Sequence, residues 1–154
     1  MNGFKSELEF ENHIRHELLP VVLENNSEFK LFNFKKAVDI LIVKNGLKPE
    51  LFFLEIKYHQ KHHGRLGVGQ GKGGGFQPEV LRDKSDYFES NMRWILGSEE
   101  SDEYWFVDND TIRKYLNAGV IGPKYNGIRK AFFYEISSIK ESDLIDQLSS
   151  WLKS

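Results

Sequence analysis

The sequence predicts an α/β domain over residues 1–154, built on a central mixed β-sheet flanked by helices. Three observations lead there. Stretches with helical spacing of apolar residues alternate with short β-rich runs. The Asn45-Gly46 turn signal and the Pro49 breaker lie between two such runs, Val38 to Val43 and Leu51 to Tyr58, which marks a β-hairpin. The second run, LFFLEIKY, is apolar until Glu55, as expected of a strand covered on both faces.

The elements follow in order. Ser6 to Leu19 carries Leu8, Phe10, Ile14 and Leu18 near helical spacing. Ser6 and Glu9 form a capping-box pattern, and Pro20 stands where such a helix would end. Glu28 to Phe34 is a first strand, and the hairpin follows. His59 to Phe76 is a Gly-rich loop. Pro78 to Leu96 reads as one long helix with Pro78 in its first turn. Tyr104 to Val107 is a short strand, and Asp110 caps a helix that runs to Leu116. Ala131 to Ile136 is a late strand, and Ser142 to Leu152 is a closing helix. The expected order is therefore α-β-β-β-α-β-α-β-α.

Composition narrows the function classes. The fractions of apolar, aromatic and charged residues are those of a soluble globular protein. No apolar run is long enough to span a membrane, and no signal-peptide pattern opens the chain. Cysteine is absent, which excludes disulfides and thiolate metal sites and fits a cytoplasmic location. The net charge of −2 gives no general attraction to nucleic acid. Cations are nevertheless concentrated between Lys57 and Lys84, where Lys57, Lys61, Arg65, Lys72, Arg82 and Lys84 face only Glu79 and Asp83 in number. Such a local patch suits phosphate contacts, and it also suits an ordinary solvated loop.

Asp39, Glu55 and Lys57 are the most informative residues. A hairpin centred near Leu47 pairs position 39 with 55, 41 with 53, and 37 with 57. Side chains alternate along a strand, so Asp39, Glu55 and Lys57 then share one face. Opposed like charges destabilise a sheet. A hard divalent cation offsets that repulsion, since Mg²⁺ commonly sits on one or two carboxylates. The competing reading is plain alternation on a solvated strand end.

Asp39, a gap of fifteen residues, and then Glu55-Ile56-Lys57 resemble the signature of the PD-(D/E)xK nuclease superfamily, the restriction-endonuclease-like fold. The resemblance covers the N-terminal half of the chain well, and the rest by element order alone. Val38 stands where a Pro often precedes the Asp. The resemblance implies a metal-dependent DNA endonuclease of restriction or repair type. In that reading Asp39 and Glu55, the carbonyl of Ile56 and an acid of the first helix hold Mg²⁺, with Mn²⁺ able to replace it. Lys57 orients water or neutralises charge on the phosphate.

The helix acid is a choice among Glu7, Glu9 and Glu11. Glu11 lies at the edge of the buried stripe, where it either completes a cation site or belongs to an acidic first turn that complements the helix dipole. Glu7 reads as the latter. Gln77 resembles a Gln that some superfamily members carry near the scissile phosphate.

The glycine loop GVGQGKGG lacks Walker A spacing, with Leu66 at the first Gly position and Gly73 at the Ser/Thr position. Gly69, Gly71 and Gly74 fit GxGxxG but lie too far past the strand for a dinucleotide site. The loop is either a plain connection or a clasp for DNA, with Arg65, Lys72, Lys61, His62 and His63 as phosphate contacts. A histidine zinc site without a spaced partner ligand is weak. The expected partner is duplex DNA, bound by a homodimer or by a subunit of a larger complex. Two other classes compete: a nucleic-acid-binding module without cleavage, and a protein-interaction domain whose acidic remainder suits a basic partner.

Overall fold

A computed structural model of the chain describes residues 4–24, 28–33, 39–61, 65–67, 76–116 and 127–154. Five strands form the main sheet: β1 (Phe29–Asn33), β2 (Ile40–Lys44), β3 (Glu50–His59), β5 (Met92–Ser98) and β6 (Trp105–Val107), in that spatial order. A separate two-stranded ladder joins β4 (Arg65–Gly67) to β7 (Gly127–Arg129). The main sheet is mixed. β3 and β5 run parallel, and every other pair is antiparallel. The helices are α1 (Glu7–His13), α2 (Leu19–Leu23), α3 (Phe76–Arg82), α4 (Asp86–Asn91), α5 (Asn109–Lys114), α6 (Phe132–Glu135) and α7 (Glu141–Lys153).

The expected class, a mixed sheet between helices, is the one observed, but several elements differ from the sequence reading. The first helix does not stop at Pro20. A π-helical turn (Ile14–Leu18) follows α1, with Leu19 N–H donating to the Ile14 carbonyl, and α2 begins beyond it. The wide turn has already broken the usual ladder, so Pro20 sits in the first turn of α2, where its missing N–H is tolerated. Pro78 to Leu96 is not one helix. It contains α3, α4 and then β5, whose residues pair in parallel with Phe53 to His59 at the centre of the sheet. Asp108, not Asp110, caps α5 by accepting from Thr111 N–H at 2.9 Å. The stretch expected as a late strand is α6, and the strand lies just before it as β7.

Alternation along the strands makes two cores. Phe52, Leu54, Ile56 and Tyr58 point to the face covered by α1, α2 and α7, together with Phe10, Ile14, Leu148 and Trp151. Met92, Trp94 and Leu96 point to the other face, against Val80, Leu81, Ile112 and Phe132 of α3, α5 and α6. Burying each such side chain stabilises the fold by ~1.5–3 kcal/mol. Gly97 is required where β5 meets α1, because a Cβ there would lie 2.5 Å from the Phe10 ring. Among the described residues no helix is long and apolar enough to cross a membrane.

Candidate functional site

The site arises from a mismatch in strand length. β3 runs to His59, but β2 pairs with it only up to Ile40↔Leu54. On the other side β5 accompanies β3 to its end. The β2-facing edge of β3 beyond Leu54 is therefore open, and its backbone groups need other partners. Two carboxylates supply them. Asp39, at the entry to β2, accepts from Ile56 N–H through Oδ2 at 2.8 Å. Glu7, on α1, accepts from Tyr58 N–H through Oε1 at 3.1 Å.

The observed register pairs Leu41 with Phe53, so its continuation sets Asp39 against Glu55. Asp39 bends out of the ladder there and gives its side chain, not its backbone, to β3. Residue 37 lies outside the described residues. Glu55 and Lys57 point to the face of α3, beside Trp94 and Leu96 of β5. Glu55 is 2% exposed. Its Oε1 accepts from Gln77 Nε2, at the start of α3, at 2.9 Å. Its Oε2 is buried without a hydrogen-bond partner.

That orphaned oxygen has company. Among the described residues, the buried side-chain polar atoms without a partner are Glu55 Oε2, Gln77 Oε1 and Arg15 Nε, and all three lie around Asp39 and Glu55. Native interiors satisfy nearly all such atoms, so this cluster sets the surroundings of Asp39 and Glu55 apart from the rest of the described interior. Electrostatics agree. Burial pushes the Glu55 carboxyl well above the usual range. A hydrogen bond that its protonated form makes with Asp39, and repulsion by Asp39 and Glu7, push it further, while Lys57 pulls it down. Glu7 is also raised, first by desolvation of its tucked carboxyl and then by Asp39 and Glu11, against the lowering effects of Lys57 and Tyr58 N–H. The Glu7 residue as a whole is exposed.

Glu11 is partly buried. Its carboxylate is paired with Arg15 four residues on, inside the helix layer. Glu7, read from sequence as an acidic first turn, is the helix acid that reaches β3. An unpaired strand edge is a stronger attraction for a carboxylate than a helix dipole, and only the fold brings the two together.

The expected phosphate contacts are placed less fully. Lys61 is exposed at the end of β3, with its N–H on Glu99 Oε1 at 3.1 Å. Arg65 lies on β4, which divides the stretch expected as one loop. Its side chain, together with His62, His63, Lys72 and most of the 64–75 segment, lies outside the described residues. Arg82 pairs with Asp83, and Lys84 with Asp110, each at 3.5 Å, so these two cations of the basic stretch are partly neutralised.

Hard oxygen donors suit Mg²⁺ or Mn²⁺. The donors here are the Asp39 and Glu55 carboxylates, the second of them with an unfilled oxygen. No cluster of three His, Cys, Asp or Glu side chains poised to ligate a metal occurs among the described residues. Mg²⁺ does not require one, because it commonly keeps several waters beside one or two carboxylates.

No protein-family model matches the chain, and no curated protein does. Among solved structures, the chain is similar to Hjc, a Holliday junction resolvase from the archaeal hyperthermophile Archaeoglobus fulgidus, with a TM-score of 0.44 and 11% sequence identity over 89% of this chain and 96% of that one.

Proposed function

We propose that the protein is a metal-dependent nuclease that hydrolyses phosphodiester bonds in DNA, with its active centre at Asp39, Glu55 and Lys57. The observation that carries this reading is the buried Glu55 carboxylate, with one oxygen lacking a donor, set beside Asp39. An apo protein bears that repulsion as a loss of stability, and a bound divalent cation would relieve it. The motif resemblance supports DNA as the substrate.

Asp39 and Glu55 would hold the cation, with the carbonyl of Ile56, next to Glu55 on β3, as a further oxygen donor. When bound, the cation would polarise the scissile phosphoryl group and acidify a water molecule. Lys57 projects from the same face two residues on. Its ammonium already acts on Glu55 and Glu7 through space, and near a bound phosphate it would neutralise charge that develops in the transition state. Gln77 fixes the Glu55 carboxyl through Oε1 and so leaves Oε2 free. Glu7 fixes β3 at Tyr58 and adds negative charge to the site. One such site cuts one strand, so breaking a duplex calls for two copies or two successive events.

The test is cleavage of linear, circular and single-stranded DNA with Mg²⁺, with Mn²⁺ and with chelator. Cutting is expected with either metal, none is expected with chelator, and none from Asp39→Ala or Glu55→Ala. A variant that cuts at the wild-type rate removes the assignment. A wild-type protein that binds DNA with Mg²⁺ present but leaves it whole would instead be a binding module.

A further inference from the structure

We propose that the Glu11–Arg15 ion pair is a positioning device that holds Asp39 in the orientation needed to bind a divalent cation, an inference that rests on the role proposed for Asp39 above. Arg15 is 6% exposed and lies in the π-helical turn. Its Nη2 donates both to Glu11 and, at 3.2 Å, to the backbone carbonyl of Asp39. Asp39 is thereby held at two points: its carbonyl by Arg15 and its carboxylate by Ile56 N–H. Among the described residues, these two bonds restrain the backbone and the side chain of the residue that opens β2.

Three features favour positioning over simple packing. A buried ion pair contributes little net stability and is often matched by apolar side chains of similar size, so its place at the site calls for another reason. Single π-turns inside helices occur often at functional sites, and this one carries the arginine. Glu11 also compensates the guanidinium charge. An uncompensated arginine this close to Asp39 would repel the cation that Asp39 is proposed to bind. The arrangement gives Asp39 a firm donor without that repulsion.

Mn²⁺ binding to the full-length chain, measured by calorimetry and by electron paramagnetic resonance, tests the proposal without recourse to cleavage. The double variant Glu11→Leu/Arg15→Met replaces the pair with apolar side chains. It is expected to unfold within a few degrees of wild type and to bind Mn²⁺ about 10–100-fold more weakly, as for other partners that orient a metal ligand. Arg15→Lys keeps the charge opposite Glu11 but is one bond shorter in reach. It is expected to fold and to lose about tenfold in Mn²⁺ affinity, and it decides the matter if the double variant does not fold. Asp39→Ala serves as the reference. If Asp39→Ala loses Mn²⁺ binding while the folded pair variants keep wild-type affinity, the pair is structural only and the proposal falls, with the site intact. If Asp39→Ala binds Mn²⁺ like wild type, the site assignment falls and this inference with it.

Discussion

Two acidic groups on the same side of the sheet meet opposite fates. Glu89, on α4, is held by both terminal nitrogens of Arg113, at 2.5 Å and 2.8 Å, and by Asn109 Nδ2 at 3.0 Å. Arg113 uses its remaining donors on Asp110 and on the carbonyls of Val80 and Leu81, so its five N–H groups are all engaged. Glu89 is accordingly pulled below the usual carboxylate range, first by the Arg113 hydrogen bonds and against the opposing effect of burial. Glu55 has a single neutral donor, and its other oxygen faces a carboxylate that it can bond only when protonated, so it is pushed the opposite way. One acid has been completed by the fold and the other has been left incomplete. The chain can make a fully satisfied carboxylate when stability alone is at stake. The unsatisfied one is where the cation proposed above would bind. The two regions are also connected, because Arg113 grips the C-terminal carbonyls of α3 while Gln77 at its N-terminus holds Glu55.

The sharpest way to break the comparison is to cut the completed side. Arg113→Ala leaves Glu89 partly buried without its cation and frees two carbonyls. We expect ~2–3 kcal/mol of destabilisation in urea unfolding, the range for losing a charged hydrogen-bond partner from a half-buried pair. A loss under ~1 kcal/mol would mean that Arg113 is an ordinary surface contact and the contrast with Glu55 is empty.

On the incomplete side, the effect belongs in the reaction. Lys57→Ala is expected to lower the cleavage rate by ~10²–10³-fold, the usual effect of removing one group that stabilises transition-state charge. Affinity for DNA should change much less, because such an interaction is realised in turnover and not in ground-state binding. Equal losses in rate and affinity would make Lys57 a plain phosphate contact.

These two regions also show what a sequence discloses. The Asp39–Glu55 relation was legible because it depends on local turn chemistry: Asn45-Gly46 and Pro49 fix the hairpin, and the Leu41↔Phe53 register follows. The helix acid was not. Choosing Glu7 over Glu11 requires knowing that β3 outlasts β2 and leaves Tyr58 N–H open, a tertiary fact. One local signal for Glu11 did exist, the i,i+4 spacing to Arg15, which is ion-pair spacing on a helix. Met92 to Leu96, most of β5, reads as helix because its apolar residues continue the period of the stretch before it. The parallel partner β3 is what makes it a strand, and pairing across sequence leaves no local mark. Phe132, Phe133 and Tyr134 have the aromatic composition of a strand, yet packing against Trp105 and Tyr115 takes the first two into a helix. Arg113 gave no sign of its role, since its partners come from α3, α4 and α5.

The smallest effect we expect is the most direct reading of Glu55 itself. Glu55→Gln removes the charge but keeps the shape, and the new amide can still accept from Gln77 while donating toward Asp39. Without metal at neutral pH the variant should be more stable than wild type by ~1–3 kcal/mol, the usual penalty of an unsatisfied buried polar group. The pH dependence has a definite sign. Because the Glu55 pKa is higher in the folded protein than in the unfolded chain, the native state binds more protons in that window, and wild-type stability falls as pH rises through it. The advantage of Glu55→Gln should therefore vanish below about pH 4.5, the ordinary glutamate value, and grow as pH rises. A shallower slope of the same sign should persist in the variant, because Glu7 is raised as well. Glu89 and Glu141 have lowered values, and they give the opposite slope on the acid side in both proteins. Adding Mg²⁺ should reverse the order, since a ligand that binds only the folded wild type stabilises it in proportion to the logarithm of its saturation. Thermal unfolding across pH, with and without Mg²⁺, measures all of this. If Glu55→Gln proves less stable than metal-free wild type at neutral pH, the Glu55 carboxylate is satisfied in solution and the contrast with Glu89 disappears.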